Sequence, residues 1–353
     1  MSNSRPHEFV IIDEQGHPCT SENQLPPEIG AEILRNLRQA SNGSFVSEVS
    51  GQKALIEAFD SPLIAKAIKS PDGKNQNSWV LELPYQVQKT FSLTDLSYDE
   101  WDRFHGLTSE NVPFVLSSKA QDQLFNAVDE FTDDSLTFKG KKYLLREWLS
   151  SESAVDAEKF WSDIYKTESP GWDLGQASPI LQDLLPRLKI PKSRVLVLGC
   201  GPGHDTAHFA QQGHVVTAVD ISDQALLKAK ANYPLLTNIN WVQADIFKLP
   251  MDWQGQFDVI FEHTCYCAIN PQRRNDLVKT WLKLLAPRGH LLGVFFAIHQ
   301  TPEKRQGPPF GGSEWEIRQR LKNNFHFVFW GRWRQSVDRR HGTELAVYAE
   351  KKS

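Results

Sequence analysis

The stretch RVLVLGCGPGHDTAHFAQQGHVVTAVDIS, Arg194 to Ser222, decides the fold. Its apolar run Val195–Leu198 breaks at Gly199-Cys200-Gly201-Pro202-Gly203, and a second apolar run, Val215–Val219, ends in Asp220. Strand, glycine turn, helix, strand, acid is the order of a nucleotide-binding half-fold. Gly199, Gly201 and Gly203 leave room for a ligand to approach the backbone. The helix beginning near His204 points its N-terminus at that ligand. Asp220, at the end of the second strand, can take both hydroxyls of a ribose. The spacing is G-x-G-x-G, and His204 stands where a G-x-G-x-x-G fingerprint needs its third glycine. This favours S-adenosylmethionine over a dinucleotide, whose pyrophosphate would also need a cradle.

Outward from this unit the pattern keeps alternating. Helical spacing predicts helices over Asp156–Lys166, Pro179–Arg187, Asp205–Gln212, Asp223–Asn232, Gln272–Leu285 and Ser313–Asn323. Apolar runs predict strands over Arg194–Leu198, Val215–Asp220, Ile239–Gln243, Phe257–Phe261, Gly289–Phe296, Phe325–Arg334 and Leu345–Lys351. Such alternation implies an α/β Rossmann-like domain with a parallel sheet covered on both faces. The last two strands, joined by the polar turn 335–343, read as an antiparallel edge hairpin.

Ligands of open α/β sheets bind at the carboxyl ends of the strands. Four ends are legible: the glycine turn; Asp220 with Ile221, which can cover one face of an adenine; Asp245 with Ile246, an acceptor and a backbone donor for an adenine edge; and Glu262 with His263. One acid after a strand is usually a helix cap, but four in register form a set. Upstream, Trp161 and Tyr165 share a helix face at i, i+4, and Trp172 follows in a loop. They read either as a packing face or as an aromatic lid over a sulfonium cation. Cys265 and Cys267 could face a pocket, although small apolar packing is the simpler account. Cys200 reads as a small buried residue, and His204 with Asp205 as a helix N-terminal cap.

The remaining bulk properties narrow the class. The 353 residues suffice for two domains, and the composition, 40% hydrophobic and 23% charged with net charge −4, is that of a globular chain with no nucleic-acid bias. No run nears the roughly 18 apolar residues of a membrane span, and MSNSRPHEFV lacks a signal-peptide core. The 4 cysteines have no C-x-x-C spacing, which speaks against disulfides or zinc and for a reducing cytoplasm. No metal site is expected, since HExxH and multi-His patterns are missing. A polar stretch at 150–153 divides an α+β domain, 1–150, from the domain 151–353. In the first, strands are expected over Phe9–Ile12, Ser78–Leu83 and Gln86–Phe91, and helices over Glu28–Gln39, Leu96–Phe104 and Ser118–Phe131.

The blocks FW(x)3Y(x)6WDLG at 160–175, VLGCGPGHD at 197–205, VDIS at 219–222, ADIF at 244–247, FDVIFEHTCYCAINP at 257–271, LLAPRGHLL at 284–292 and GPPF at 307–310 make the region from about Phe160 onward resemble the thiopurine S-methyltransferase family, including its thiol and halide methyltransferases. The resemblance implies a seven-stranded class I methyltransferase sheet with S-adenosylmethionine as methyl donor. It would place Trp161, Tyr165 and Trp172 at the donor's methionine and sulfonium end, Gly199 along the methionine, Asp220 on the ribose, Asp245 and Ile246 on the adenine, and Glu262 near the amino group. Pro308, Pro309 and Phe310 would wall the acceptor. Tyr165 stands where some relatives have Trp, and His263 where animal thiopurine enzymes look to have an Arg, so a thiopurine-type acceptor does not follow.

The expected activity is methyl transfer to a small soft nucleophile, above all a thiol, with His263 as candidate base or orienter. Halide, selenium, tellurium, oxygen and nitrogen acceptors, a dinucleotide oxidoreductase, and a non-catalytic adenosyl-binding scaffold remain as alternatives. The partner is a small molecule, with no nucleic acid or membrane involved.

Overall fold

The computed structural model describes residues 8–20, 23–41, 43–71, 77–147, 154–167, 170–298, 307–333 and 336–353. The expected boundary at 150–153, residue 334 of the last-but-one strand and residue 335 of its turn lie outside them. The chain forms two compact units, one built on Met1–Ser150 and taking in Ser313–Trp315, the other built on Ser151–Ala297 and Glu316–Ser353.

The first unit is a β-rich α+β fold. One five-stranded sheet runs Pro18–Cys19, Glu8–Ile12, Gln52–Ala58, Phe45–Val49, Arg38–Gln39. Helix Pro27–Asn36 lays Ile33 and Leu34 into the core. A second five-stranded sheet and two three-stranded sheets complete it around Trp79, Phe91, Phe104 and Phe114. Three expected helices are corrected here. Leu96–Phe104 contains no helix: Ser97–Tyr98 pairs antiparallel with Phe104–His105. The Asp99 carboxylate accepts the N–H groups of Trp101 and Arg103, closing a turn with Asp102 left-handed at φ 59°. Glu28–Gln39 stops helically at Asn36, because Arg38–Gln39 pairs with Phe45–Val46. Ser118–Phe131 stops at Ala127, and Glu130–Thr132 turns into a hairpin with Ser135–Thr137.

In the second unit we label the strands β1 (Arg194–Leu198), β2 (Val215–Asp220), β3 (Ile239–Gln243), β4 (Phe257–His263), β5 (Leu285–Phe296), β6 (Phe325–Arg332) and β7 (Glu344–Lys351). Its helices are α1 (Glu158–Thr167), α2 (Pro179–Leu188), α3 (His204–Gln211), α4 (Asp223–Asn232), α5 (Arg274–Leu284) and, from Glu316 onward, α6 (Glu314–Leu321). The sheet order is β3-β2-β1-β4-β5-β7-β6. Strands β3 to β5 are parallel, whereas β7 is antiparallel to β5 and to β6. Val195–Leu198 are buried on both faces, which explains their unbroken apolar run. The strand order reverses between β1 and β4, so a crevice opens there at the carboxyl ends.

Candidate functional site

A cavity of about 480 Å³ occupies that crevice, within the second unit and in the size range of small-molecule sites. Of the residues expected at a site, its wall holds Trp161, Tyr165, Trp172, Gly199, Gly201, Asp220, Ile221, Asp245, Ile246, His263, Pro308 and Pro309. Gly203, Glu262 and Phe310 are not on the wall.

The glycine turn is shaped by close approach. A Cβ on Gly201 would stand 2.9 Å from the Tyr165 hydroxyl, and one on Gly199 would stand 2.9 Å from Cys265 Sγ. Both have positive φ, 52° and 65°, which glycine adopts freely. Gly203 serves packing: its Cβ would collide with Trp241 at 2.6 Å. It is also the N-cap of α3 and contributes no side-chain cap. Of the expected His204–Asp205 role, Asp205 supplies the acidic group in the first turn of α3, while His204 is engaged elsewhere. His204 Nε2 lies 3.2 Å from Asp173, and its Nδ1 lies 2.6 Å from the Tyr233 hydroxyl. His204 in turn holds the Asp173 carboxyl below its ordinary range.

Asp220 is buried at the end of β2. Its Oδ2 accepts the Gly201 N–H and its Oδ1 the Ser222 N–H, at 2.8 and 2.9 Å. Burial pushes its pKa up to about 6 against those two bonds. Each oxygen keeps a lone pair for a further donor. At the end of β3, Asp245 Oδ1 accepts the Phe247 N–H at 2.9 Å beside buried Ile246.

The aromatic residues converge. Trp161 and Tyr165 come from one face of α1, and their rings meet the Trp172 ring edge-on at 5.8 and 6.3 Å. Trp172 Nε1–H donates to the Tyr165 hydroxyl, and Trp161 Nε1–H to the Val155 carbonyl. Burial raises the Tyr165 phenol, with Asp220 adding to it, so the hydroxyl stays neutral.

His263 closes β4, and Thr264 after it holds φ at 60°, a strained value for a β-branched residue. This turn brings His263, Thr264 and Cys265 onto the same wall. His263 Nδ1 lies 2.7 Å from Asp205 Oδ2, and its Nε2 lies 3.0 Å from Arg340 Nη1. Burial works to lower its pKa, but Asp205 more than offsets this and pushes it up to about 9. In the cation Nε2–H would turn to Glu344, 3.8 Å away. Glu344 and Arg340 give no sequence signal, and Asp205 reads from the sequence only as part of a helix start. Arg340 sits in the short turn before β7, donates to Glu344 and to the Trp172 carbonyl, and lies on the wall with Arg339.

Cys265 and Cys267 are buried, as small packing residues would be, yet both line the cavity. Burial pushes the Cys267 thiol up to about 12 and the Cys265 thiol well above its ordinary value. Cys200 departs from the expected full burial: it is half-buried and also on the wall. Glu262 accepts the Tyr266 N–H through Oε1, its Oε2 is buried without a hydrogen bond, and burial raises its pKa to about 7. Phe310 is buried behind the wall with its N–H on the Cys267 carbonyl. Among the described residues, no group of three or more His, Cys, Asp or Glu could hold a metal ion. No helix of the described residues is long and apolar enough to cross a membrane.

The geometry fits an adenosyl ligand. Gly199 and Gly201 put bare backbone on the wall, the buried Asp220 carboxylate stands on the same wall, and Trp161, Tyr165 and Trp172 line it as well. Comparison with known proteins agrees. The family described as Thiopurine S-methyltransferase (TPMT) matches residues 156–349, more than half of the chain. Thiocyanate methyltransferase 1 of Arabidopsis thaliana is 34% identical over 155 residues, covering 42% of this chain and 65% of that protein. Its Brassica oleracea namesake is 33% identical over 155 residues, covering 42% and 66%. Probable thiol methyltransferase 2 of Arabidopsis thaliana is 30% identical over 179 residues, covering 49% and 74%. The match to the first two thus spans just under two thirds of their length. With its class I methyltransferase sheet and this matched region, the chain belongs to the thiopurine S-methyltransferase family, a family of S-adenosylmethionine-dependent methyltransferases.

Proposed function

We propose that the protein transfers the methyl group of S-adenosylmethionine to a small thiol by in-line displacement. The observation that carries this reading is the convergence of glycine turn, Asp220 and the aromatic trio on one cavity whose wall also includes Pro308, Pro309, Arg339 and Arg340. When bound, the sulfonium donor supplies a methyl group that is already electrophilic. The protein's task is then to bind, orient and keep water out, which can supply most of the acceleration. Gly199 and Gly201 admit the ligand to the backbone, Asp220 takes the ribose hydroxyls, and Asp245 with Ile246 takes the adenine. Trp161, Tyr165 and Trp172 exclude water and face the cation; such contacts are worth about 0.5–2 kcal/mol each. Pro308 and Pro309 present an apolar acceptor wall. Glu262 supports Tyr266, away from the wall.

A thiol of pKa about 8.5 is a few per cent ionised at neutral pH, so no strong base is required. The guanidinium groups of Arg339 and Arg340 favour the thiolate further. The wall thiols Cys265 and Cys267 stay protonated, so they do not compete as nucleophiles. Both His263 nitrogens are engaged, which makes it a positioning residue rather than the base. His263→Ala should therefore lower turnover about tenfold and leave the shape of the pH–rate profile between pH 6 and 9 unchanged. A general base would instead cost about 10²–10⁴-fold and its limb of the profile would vanish.

A second acceptor class, a small soft anion such as thiocyanate, is favoured by the same two arginines. Initial rates with hydrosulfide, thiophenol, thiocyanate and iodide, against phenol and aniline, test the proposal. Turnover confined to phenol or aniline would refute it. Four free thiols suit a reducing cytoplasm.

Arg273 pairs with Asp156 at 3.0 Å and lies 3.7 Å over the Phe247 ring, all three on the wall beside Asp245. Arg273→Ala should weaken S-adenosylhomocysteine about threefold to tenfold, since the pair is part-exposed and the cation–π contact modest. Calorimetry checks this, and an unchanged Kd would remove Arg273 from the site.

A further inference from the structure

Resting on the methyl-transfer reading, we propose that Arg274 is a positioning residue for the methyl acceptor. It acts by pinning the loop that carries Pro308 and Pro309. Those prolines have no N–H, so no backbone donation of their own can hold them in place. The residues that follow add two anchors to the loop. The Phe310 N–H donates to the Cys267 carbonyl at 2.7 Å. The next carbonyl, that of Gly311, accepts from Arg274 Nη2. Gly311 has φ 68°, a left-handed value that sets this carbonyl at an angle few other residues would adopt.

Arg274 is itself held at both terminal nitrogens. Its side chain is 2% exposed, Nη1 donates to Glu316 Oε1 at 2.8 Å, and the guanidinium lies 4.4 Å from the Tyr266 ring centre. Glu316 Oε1 also accepts from the Tyr266 hydroxyl and from Arg320 Nε. Arg320 is fixed by Asn275 at 2.7 Å. A buried guanidinium with one end on a carboxylate and the other on a loop carbonyl is a rigid strut. The strut links the start of α5 to the loop 307–312, and the segment 265–269 between them contributes Cys265, Cys267 and Ala268 to the same wall. The strut's direct partners, Gly311, Glu316 and Tyr266, lie off the wall, so its influence reaches the cavity through the loop that carries Pro308 and Pro309.

The test separates positioning from scaffolding. Arg274→Met, with thiophenol as acceptor probe, is expected to raise the acceptor KM about tenfold or more, since misplacements of about 1 Å cost up to about 10²-fold. The Kd for S-adenosylhomocysteine should stay within about twofold. Arg274→Lys, which keeps the charge but reaches only one partner, should recover part of the loss. Glu316→Gln, which keeps the shape, should shift KM in the same direction if the Met variant does not fold. Leu284→Ala, a core change on α5, serves as a stability-matched control with unchanged KM. If Arg274→Met and Glu316→Gln lower the melting temperature but leave the acceptor KM at the wild-type value, the proposal is overturned. Failure of the wild type to bind S-adenosylhomocysteine would overturn the methyl-transfer reading instead, which keeps the two failures distinct.

Discussion

Asp220→Asn should weaken S-adenosylhomocysteine binding about a hundredfold or more, close to 3 kcal/mol, with little change in melting temperature. Asp220 is buried, and each of its oxygens already accepts one backbone N–H. A ribose diol would complete both oxygens, and hydrogen bonds to a charged acceptor are worth about 1.5–3 kcal/mol each. Asparagine keeps one acceptor and turns an NH₂ group toward either the Gly201 or the Ser222 N–H. Stability changes little because two effects oppose. The lost bond is destabilising. Relief of a desolvated charge is stabilising, since the Asp220 pKa is raised to about 6 by burial. A carboxyl whose folded pKa is raised contributes stability fully at acid pH and loses it as pH rises through about 6; the site thus holds its charge at neutral pH at a cost to the fold. The same titration governs binding. Affinity in the wild type should fall as pH drops below about 6, whereas in the Asn variant it should be flat. Calorimetry at pH 5 and pH 7.5 on both proteins reads this out, and equal pH dependence in the two would remove Asp220 from the ligand site.

Arg340→Met should be the most damaging change on the opposite wall. The guanidinium is buried and joins three elements: His263 at 3.0 Å, Glu344 at 3.1 Å and the Trp172 carbonyl at 2.7 Å. Removing one partner from such a buried charge cluster costs about 3–5 kcal/mol. Here the lower end is expected, because His263 in its protonated form can turn Nε2–H toward Glu344. About 3 kcal/mol corresponds to roughly 6–12 °C in melting temperature for a domain of this size. Turnover should fall more than binding, about 10²-fold, because the Trp172 loop loses one of its pins and the wall its buried cation. Scanning calorimetry and kcat/KM with a thiol check both parts. Turnover within twofold of wild type would show that the cluster only braces the fold.

The legibility of this chain follows burial. Strands β1 and β2 are near-continuous apolar runs because both their faces are covered, and the glycines between them are imposed by contacts with Tyr165, Cys265 and Trp241. Those local causes leave local marks. Asp220 and His263 were readable for the same reason, each closing a mostly buried strand, and Asp245 because it follows two residues after the end of β3. Arg340, Glu344, Asp205, Arg273 and Arg274 were not. They reach the site region from turns, helix starts and, for Glu344, the first position of β7, and they join partners far away in sequence, as with His263 and Arg340. Charged residues in such places look like solvated surface until the fold folds them inward. The N-terminal unit was harder still. Its strands are short, and side-chain-capped turns such as that of Asp99 sit where helical spacing is met by accident of Leu96 and Phe104.

The most direct test of the account is a calorimetric titration of the purified protein with S-adenosylmethionine and S-adenosylhomocysteine, with NADH as control. The expected result is one site of micromolar affinity, about 8 kcal/mol, for both adenosyl ligands and none for NADH. A folded sample that binds neither adenosyl ligand would contradict it.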